Sequence, residues 1–314
     1  MTAVLKRLGQ VTIVLFLVTV FTTLLFSLLP GDLAQVNIPY GSDAQRAALR
    51  TDLGLNKPLY VQYGRWLGHF VQGNFGSFYR QGNVTPVLDR VKATAPVSLE
   101  LVFSAQVLAL VFAIPLGIWT ARRAGSLGDK LTNTTAYGLL AVPNFIFALL
   151  LAYVVGVKLR WLPVQGYVPP TRNLVEHIRS MALPAISLAV GQVAVYMRLL
   201  RTDLVATLQQ DFILMAKSKG ITERRVLWRH ALRPSSLTLL TVAGLNVGAL
   251  IGGAVITEVI FSLDGMGRLI FEAIGERQTV VIQSLVALFA IGYVLVNFMV
   301  DILYAVLDPR IRRA

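Results

Sequence analysis

Six stretches of this chain run for at least eighteen residues without an Asp, Glu, Lys or Arg: Leu8–Gly31, Leu101–Ala121, Leu131–Val157, Ser180–Met197, Pro234–Thr257 and Val280–Val300. At about 1.5 Å of rise per residue, each approaches the ~20 residues that cross a ~30 Å hydrocarbon core. Six buried helices of a soluble protein would show polar faces more often than these do. Over the 314 residues, 55% are hydrophobic and only 14% charged, too few charges for an ordinary soluble surface. The expected fold is an all-α polytopic membrane protein with six transmembrane helices.

Lys6 and Arg7 precede the first run as the basic region of a secretory signal would. The apolar stretch is too long for a signal, however, and ends in LLPGD rather than in a small-residue cleavage site. It reads as the first transmembrane helix. With the N-terminus inside, 16 of the 29 Lys and Arg residues fall on the cytoplasmic side, among them Arg122, Arg123, Lys130 and the set from Arg198 to Arg233. Of the remaining 13, seven lie in one long loop, where the positive-inside bias weakens. Both termini are therefore placed in the cytoplasm, and the chain in the cell membrane. The formal charge of +13 reads as topology and attraction to anionic lipid rather than as nucleic-acid binding. The absence of cysteine excludes disulfides and thiolate chemistry.

Residues 1–30 form the N-terminus and first helix, 31–96 an extracytoplasmic helical loop, 97–305 a five-helix core and 306–314 a cytoplasmic tail. In the loop, Ser42 with Gln45 reads as a capping box, opening a helix that Gly54 closes. A second helix follows Pro58, with Leu59, Tyr63, Trp66, Leu67 and Phe70 on one face and Gly73 at its end. A third is expected from Thr85-Pro86. Pro96 opens the second span, and Glu100 sits at its outer rim. Pro143-Asn144 interrupts the third span, either as a packed kink or as a polar point on a solute path. A short amphipathic helix is expected over 173–181, and the fourth span starts near Pro184, with Gln192 its main polar residue. In the fifth, Gly244, Gly248 and Gly252 recur every four residues beside Asn246. Such a row permits close backbone approach within the chain or across a subunit seam around a pore, and the seam is the favoured reading. Asn144, Gln192 and Asn246 are the candidate pathway residues.

No motif in the chain carries catalysis or marks a nucleotide site. His69, His177 and His230 are isolated, no Cys/His cluster could hold a metal, and no phosphate loop of the form G-x-x-x-x-G-K-[ST] occurs. If this is a pump, its nucleotide is bound by another chain. The spans hold few charges, which argues against an ion- or proton-coupled carrier acting alone.

The segment from Thr202 to Pro234 is charged and lies between two apolar spans. Asp211 is expected to cap a short helix with Phe212, Met215, Ala216 and Lys219 at helical spacing. Gly220 ends it, close to Ala216 as a second small position. Thr222 caps the next helix, ahead of Glu223, and Val226, Leu227, His230 and Ala231 form its face. On residues alone this fits a basic amphipathic loop on anionic lipid as well as a protein-docking plug.

The form MAKSKGITERRVLWRHALRP resembles the signature loop of membrane permeases of ATP-binding-cassette importers, in the version found in dipeptide, oligopeptide and nickel permeases. Gly220 stands for the glycine of the E-A-A-x-x-x-G pattern and Ala216 for its second alanine, while Leu214 replaces the glutamate. LLPGDLA, LGLNKPLYVQYGRWLGHFVQGNFGSF, GGAVITEVIFSLDGMGRL and the terminal DPRIR are similar to the same subfamily, in order along the chain. The resemblance implies a type I importer permease that catalyses nothing itself and binds no cofactor. It implies pairing with a second homologous permease, with two cytoplasmic ATPase subunits that bind ATP and Mg²⁺, and with an extracytoplasmic solute-binding protein. The helix from Asp211 to Gly220, with Glu223 beyond it, would couple ATPase closure to a pathway for short peptides. Nickel chelates, haem or glutathione are the alternative cargoes.

Overall fold

A computed structural model describes residues 2–28, 31–38, 42–80 and 83–307. In chain order it contains α1 (Thr2–Ser27), α2 (Leu33–Asn37), α3 (Asp43–Asp52), α4 (Leu59–Val71), β1 (Ser77–Arg80), β2 (Asn83–Pro86), α5 (Val87–Arg122), α6 (Leu127–Ala141) and α7 (Asn144–Leu151). There follow α8 (Leu174–Leu208), α9 (Asp211–Ser218), α10 (Glu223–Arg225), α11 (Leu232–Leu245), α12 (Val247–Ile260), α13 (Met266–Gly275) and α14 (Thr279–Leu307). Two π-helical turns, Ala152–Lys158 and Val226–Ala231, extend α7 and join α10 to α11. The break expected at Pro30 and the basic tail with Arg310, Arg312 and Arg313 lie outside the described residues. The chain divides into two compact units, Met1–Ser98 with Asp264–Leu295 and Leu99–Leu263 with Val296–Ala314.

In the first unit the capping box forms: Ser42 Oγ accepts from the Gln45 N–H at 3.3 Å and Gln45 Oε1 from the Ser42 N–H at 2.9 Å. Asp32 caps α2 and pairs with Arg50 of α3 at 2.5 Å. Burial pushes the Asp32 carboxyl up, but the Arg50 and backbone hydrogen bonds with the Arg50 charge outweigh it and hold the group below its ordinary value. An aromatic ladder runs from Phe16 of α1 through Tyr63, Trp66 and Phe70 of α4 to Phe75, with successive ring centroids 6.0, 5.6, 5.2 and 5.1 Å apart. Trp66 is buried and its indole N–H donates to Ser284 Oγ of α14 at 2.9 Å, satisfying the one polar atom that its burial strands. Leu59, expected on the same face, is exposed.

The separate third helix expected from Thr85 does not form. Ser77–Arg80 and Asn83–Pro86 pair as antiparallel strands, and α5 begins at Val87 and passes through Pro96 without a break. The boundary expected at residue 96 therefore falls inside a helix of 36 residues, roughly 54 Å long. Strand β1 is pinned by Gln278, whose amide accepts from the Tyr79 N–H at 3.3 Å and donates to the Tyr79 carbonyl. The turn-rich connection expected after Leu263 contains α13 instead. Its Glu272 meets Arg80 at 3.8 Å, Arg90 at 3.3 Å and Arg268 at 3.3 Å.

The second unit is built around α8, against which α6, α7 and α11 pack. The helix expected over 173–181 is not separate: α8 runs unbroken from Leu174, with Pro184 inside it and Asn173 Oδ1 accepting from the N–H groups of Val175 at 3.0 Å and Glu176 at 3.3 Å. Two expected spans are broken. Leu127–Ala141 and Asn144–Lys158 meet at 99°, because Pro143 drives the preceding Val142 into extended backbone (φ −88°, ψ 122°) and starts a new helix. Glu223–Leu245 and Val247–Ile260 bend by 44° at Asn246. Among the described residues three unbroken helices are long and apolar enough to cross a membrane, five if each bent pair counts as one span; the apolar part of α1, Thr12–Ser27, is shorter. Glu100, expected at the outer rim of the second span, accepts from Tyr167 Oη at 2.9 Å and meets His177 Nε2 at 2.5 Å. Burial, then the Glu100 carboxylate, push the Tyr167 phenol up to about 12.

Candidate functional site

The charged segment begins in the last two turns of α8 and continues as α9, α10 and the π-helical turn. An ion pair between a buried carboxylate and a half-buried guanidinium fixes its base: Arg201 Nε donates to Asp129 Oδ1 at 2.5 Å and Nη2 to Oδ2 at 2.6 Å, tying the end of α8 to the start of α6. The Gly125 N–H and Asn133 Nδ2 each add a donor to the same carboxylate at 2.8 Å. With both oxygens accepting at least two bonds, the buried charge is fully compensated.

Helix α9 has eight residues, and its amphipathicity differs from the expected one. Gln210, not Asp211, occupies the cap position, and Asp211 is the first helical residue, where its charge favours the positive helix end. The buried side is Ile213 (0% exposed) with Ala216, packed against the π-helical turn that buries Val226, Leu227 and Ala231. Phe212, Leu214 and Met215 are 46, 54 and 59% exposed. Ala216 is thus a close-contact position within this chain, whereas Phe212, Met215 and Lys219 face outward. Leu214, standing where the pattern has a carboxylate, adds another apolar group to that outer surface.

Gly220 is required by conformation rather than by space. Its φ is +73° and a Cβ there would meet nothing within 4 Å. The Ile221 N–H bonds the Ala216 carbonyl at 3.3 Å and the Gly220 N–H the Lys217 carbonyl at 2.9 Å, a complete Schellman cap that needs a left-handed residue at this place. Thr222 holds the next cap position without a side-chain hydrogen bond, and Glu223 begins α10, exposed. The chain enters α11 through the π turn rather than starting afresh at Pro234. Proline there offers no N–H and crowds the preceding turn, and the wider π turn lies just before it.

The three candidate pathway residues come together. Asn246 Nδ2 donates to Gln192 Oε1 at 3.0 Å. Asn144, at the start of α7, lies so close to Gly191 that a Cβ there would be 3.0 Å from Asn144 Oδ1. Gln106 and Tyr196, not singled out in the sequence, extend the cluster: Tyr196 Oη donates to Gln106 Oε1 at 3.1 Å and Gln106 Nε2 to the Ala243 carbonyl at 3.3 Å. The glycine row splits. Gly244 is buried and Gly248 half-buried, but Gly252 is exposed, and a Cβ added there would meet nothing within 4 Å. The close internal approach is made by Gly253, where a Cβ would lie 2.9 Å from Leu188 Cδ2.

Comparison with known proteins agrees with this architecture. Residues 113–313 match the family of binding-protein-dependent transport system inner membrane components, and residues 1–98 its N-terminal companion. The oligopeptide transport system permease protein AppB of Bacillus subtilis is 38% identical over 298 residues, 94% of each chain. A probable peptide ABC transporter permease protein of Sinorhizobium fredii, y4tP, is 34% identical over 310 residues, 98% of each. Among solved structures, the MetNI methionine ABC transporter in inward-facing form matches with a TM-score of 0.58 at 16% identity, covering 70% of this chain and 97% of that one, a likeness of fold.

Proposed function

Because the chain belongs to the family of binding-protein-dependent transport system inner membrane components, we propose that it forms half of the membrane pathway for short peptides and is driven through α9. It is a multi-pass permease subunit of an ABC importer and not an enzyme; ATP and Mg²⁺ belong to separate ATPase chains. The full-length similarity to permeases named for oligopeptide and peptide transport supports the cargo.

The observation that carries the coupling role is the outer surface of α9. An eight-residue helix exposes Phe212, Leu214 and Met215, while its inner side is already filled by Ile213 and Ala216. Three large apolar groups at the tip of a charged loop are a poor end state in water. A groove on an ATPase subunit would cover them, and Leu214 makes that contact apolar where the family pattern has a charge. The Asp129–Arg201 pair and the Schellman cap keep the helix rigid, so that a push on it reaches α8 and α11. A second, homologous permease would face the exposed Gly252 side, and a solute-binding protein would deliver cargo at the outer face. Both termini lie in the cytoplasm in this arrangement. Arg122 and Arg123 line one cavity with Trp228 of the loop, which supports placing both basic segments on one side.

The test is uptake of labelled peptide into proteoliposomes holding the assembled complex. ATP-dependent uptake that requires the ATPase subunits supports the reading; uptake by this chain alone, without them, contradicts it.

A further inference from the structure

Three adjoining cavities ring Trp228 on the π-helical turn. The largest, about 610 Å³, is walled by Trp119, Arg122 and Arg123 at the end of α5, with Ile114 and Ile118 as its floor. A second, about 380 Å³, is walled by Arg224, Arg225 and Arg229. The third, about 280 Å³, shares Ile114 and Trp228 and adds Leu232, Arg233 and Leu239. Together they form one groove whose two ends differ in chemistry.

At its mouth stand six exposed arginines, and none makes an ion pair with a described residue. Arg123 lies over the Trp119 ring at 5.2 Å from its centroid, a stacking that orients the guanidinium. Among the described residues, no Asp or Glu lines any of the three cavities. The mouth therefore favours an anion. The floor is apolar and lies within uncharged runs: Ile114 and Ile118 in Leu101–Ala121, Leu239 in Pro234–Thr257. Two indoles mark the junction, the depth at which tryptophan settles between headgroups and hydrocarbon. A ligand that matches both ends has a phosphate at one end and an aliphatic chain at the other.

We propose that the Trp228 groove is a binding site for an anionic glycerophospholipid, its headgroup among the arginines flanking Trp228 and an acyl chain along Ile114, Ile118 and Leu239. The assignment rests on the reading that α5 and α11 cross a bilayer. An acidic protein surface would satisfy the arginines, but it would not reach an apolar floor at hydrocarbon depth. A bound lipid here would touch both the end of α5 and the turn that supports α9, placing membrane composition beside the coupling loop.

Quenching of Trp228 by brominated lipid tests this. The assembled complex is placed in vesicles of fixed phosphatidylcholine and phosphatidylglycerol content, bromine being carried by one lipid or the other, and the Trp228 signal is the difference from Trp228→Phe. Quenching by brominated phosphatidylglycerol is expected to exceed that by brominated phosphatidylcholine about fivefold or more. The preference should fall with added salt, disappear in Arg122→Gln/Arg123→Gln/Arg229→Gln and survive largely in the matching lysine variant. Equal quenching by both lipids overturns the proposal, as does protection from both while the ATPase subunits are bound, which would make the groove a protein interface. If the glutamine variant fails to assemble, the two-lipid comparison in the unaltered complex still decides. The readout needs neither cargo nor ATP, so its failure is separable from failure of the transport function.

Discussion

Arg201 grips Asp129 with two guanidinium nitrogens, at 2.5 and 2.6 Å, one residue before the charged loop begins. Asp129 is only 2% exposed, so removing the cation strands a buried carboxylate. Arg201→Gln is expected to destabilise the subunit by roughly 3 kcal/mol or more, seen as a lower melting temperature of the purified complex. Adding Asp129→Asn should recover part of the loss, because the stranded charge is gone. Additive losses in the double variant would show that the two residues act independently.

This pair also shows where sequence reading stops. Asp129 and Arg201 are 72 positions apart, and no local pattern links them; only the packing of α6 on α8 does. The uncharged runs, the Ser42 capping box, the glycine helix stops at Gly54, Gly73 and Gly220, and the polar residues Asn144, Gln192 and Asn246 are legible, since each is a local or compositional signal; Gln106 and Tyr196 of the same cluster are not. The inner face of α9 is not. Phe212 through Ala216 are all apolar, so helical spacing over two turns allows either side to be the buried one, and nothing in that pattern singles out Ile213. The pairing of β1 with β2 is hidden by the shortness of the two strands, and the 99° break at Val142–Pro143 resembles a kink in sequence because proline is tolerated inside membrane helices.

Gly220 separates a conformational role from a spatial one. A left-handed backbone costs an ordinary L-residue about 1–2 kcal/mol, and asparagine less. Gly220→Asn should keep most ATP-driven uptake, whereas Gly220→Val should lose most of it while ATPase activity remains measurable. Equal uptake by the two variants would remove the Schellman cap from the coupling mechanism.

Adjacent glycines of α12 should behave differently. In Gly253→Leu the new side chain must displace Leu188, already 2.9 Å from a Cβ, and the subunit itself should lose stability. At Gly252 an added Cβ would meet nothing within 4 Å; in Gly252→Leu the isolated subunit should fold normally and fail to retain its partner permease on purification. Normal retention with Gly252→Leu would place the seam elsewhere.

At the Asp32–Arg50 pair the folded carboxyl titrates below its ordinary value. Its stabilisation is therefore present above the unfolded value of ~3.9 and is lost as pH falls through the lower folded value. Hydrogen exchange of α2 and α3 should be slower in the unaltered protein than in Asp32→Asn near neutral pH, and the difference should vanish in strong acid. A difference that persists there would assign it to something other than the charge.

If an ATPase subunit covers the apolar outer surface of α9, a reporter placed there meets that subunit in the assembled complex. Since the chain has no cysteine, Met215→Cys places one photo-crosslinking label at that surface in an otherwise unreactive permease. The expected result is a crosslink from this position to the nucleotide-binding subunit of the assembled complex, competed by none of the lipids. A label that reacts only with lipid or water, in a complex that still transports, would contradict it.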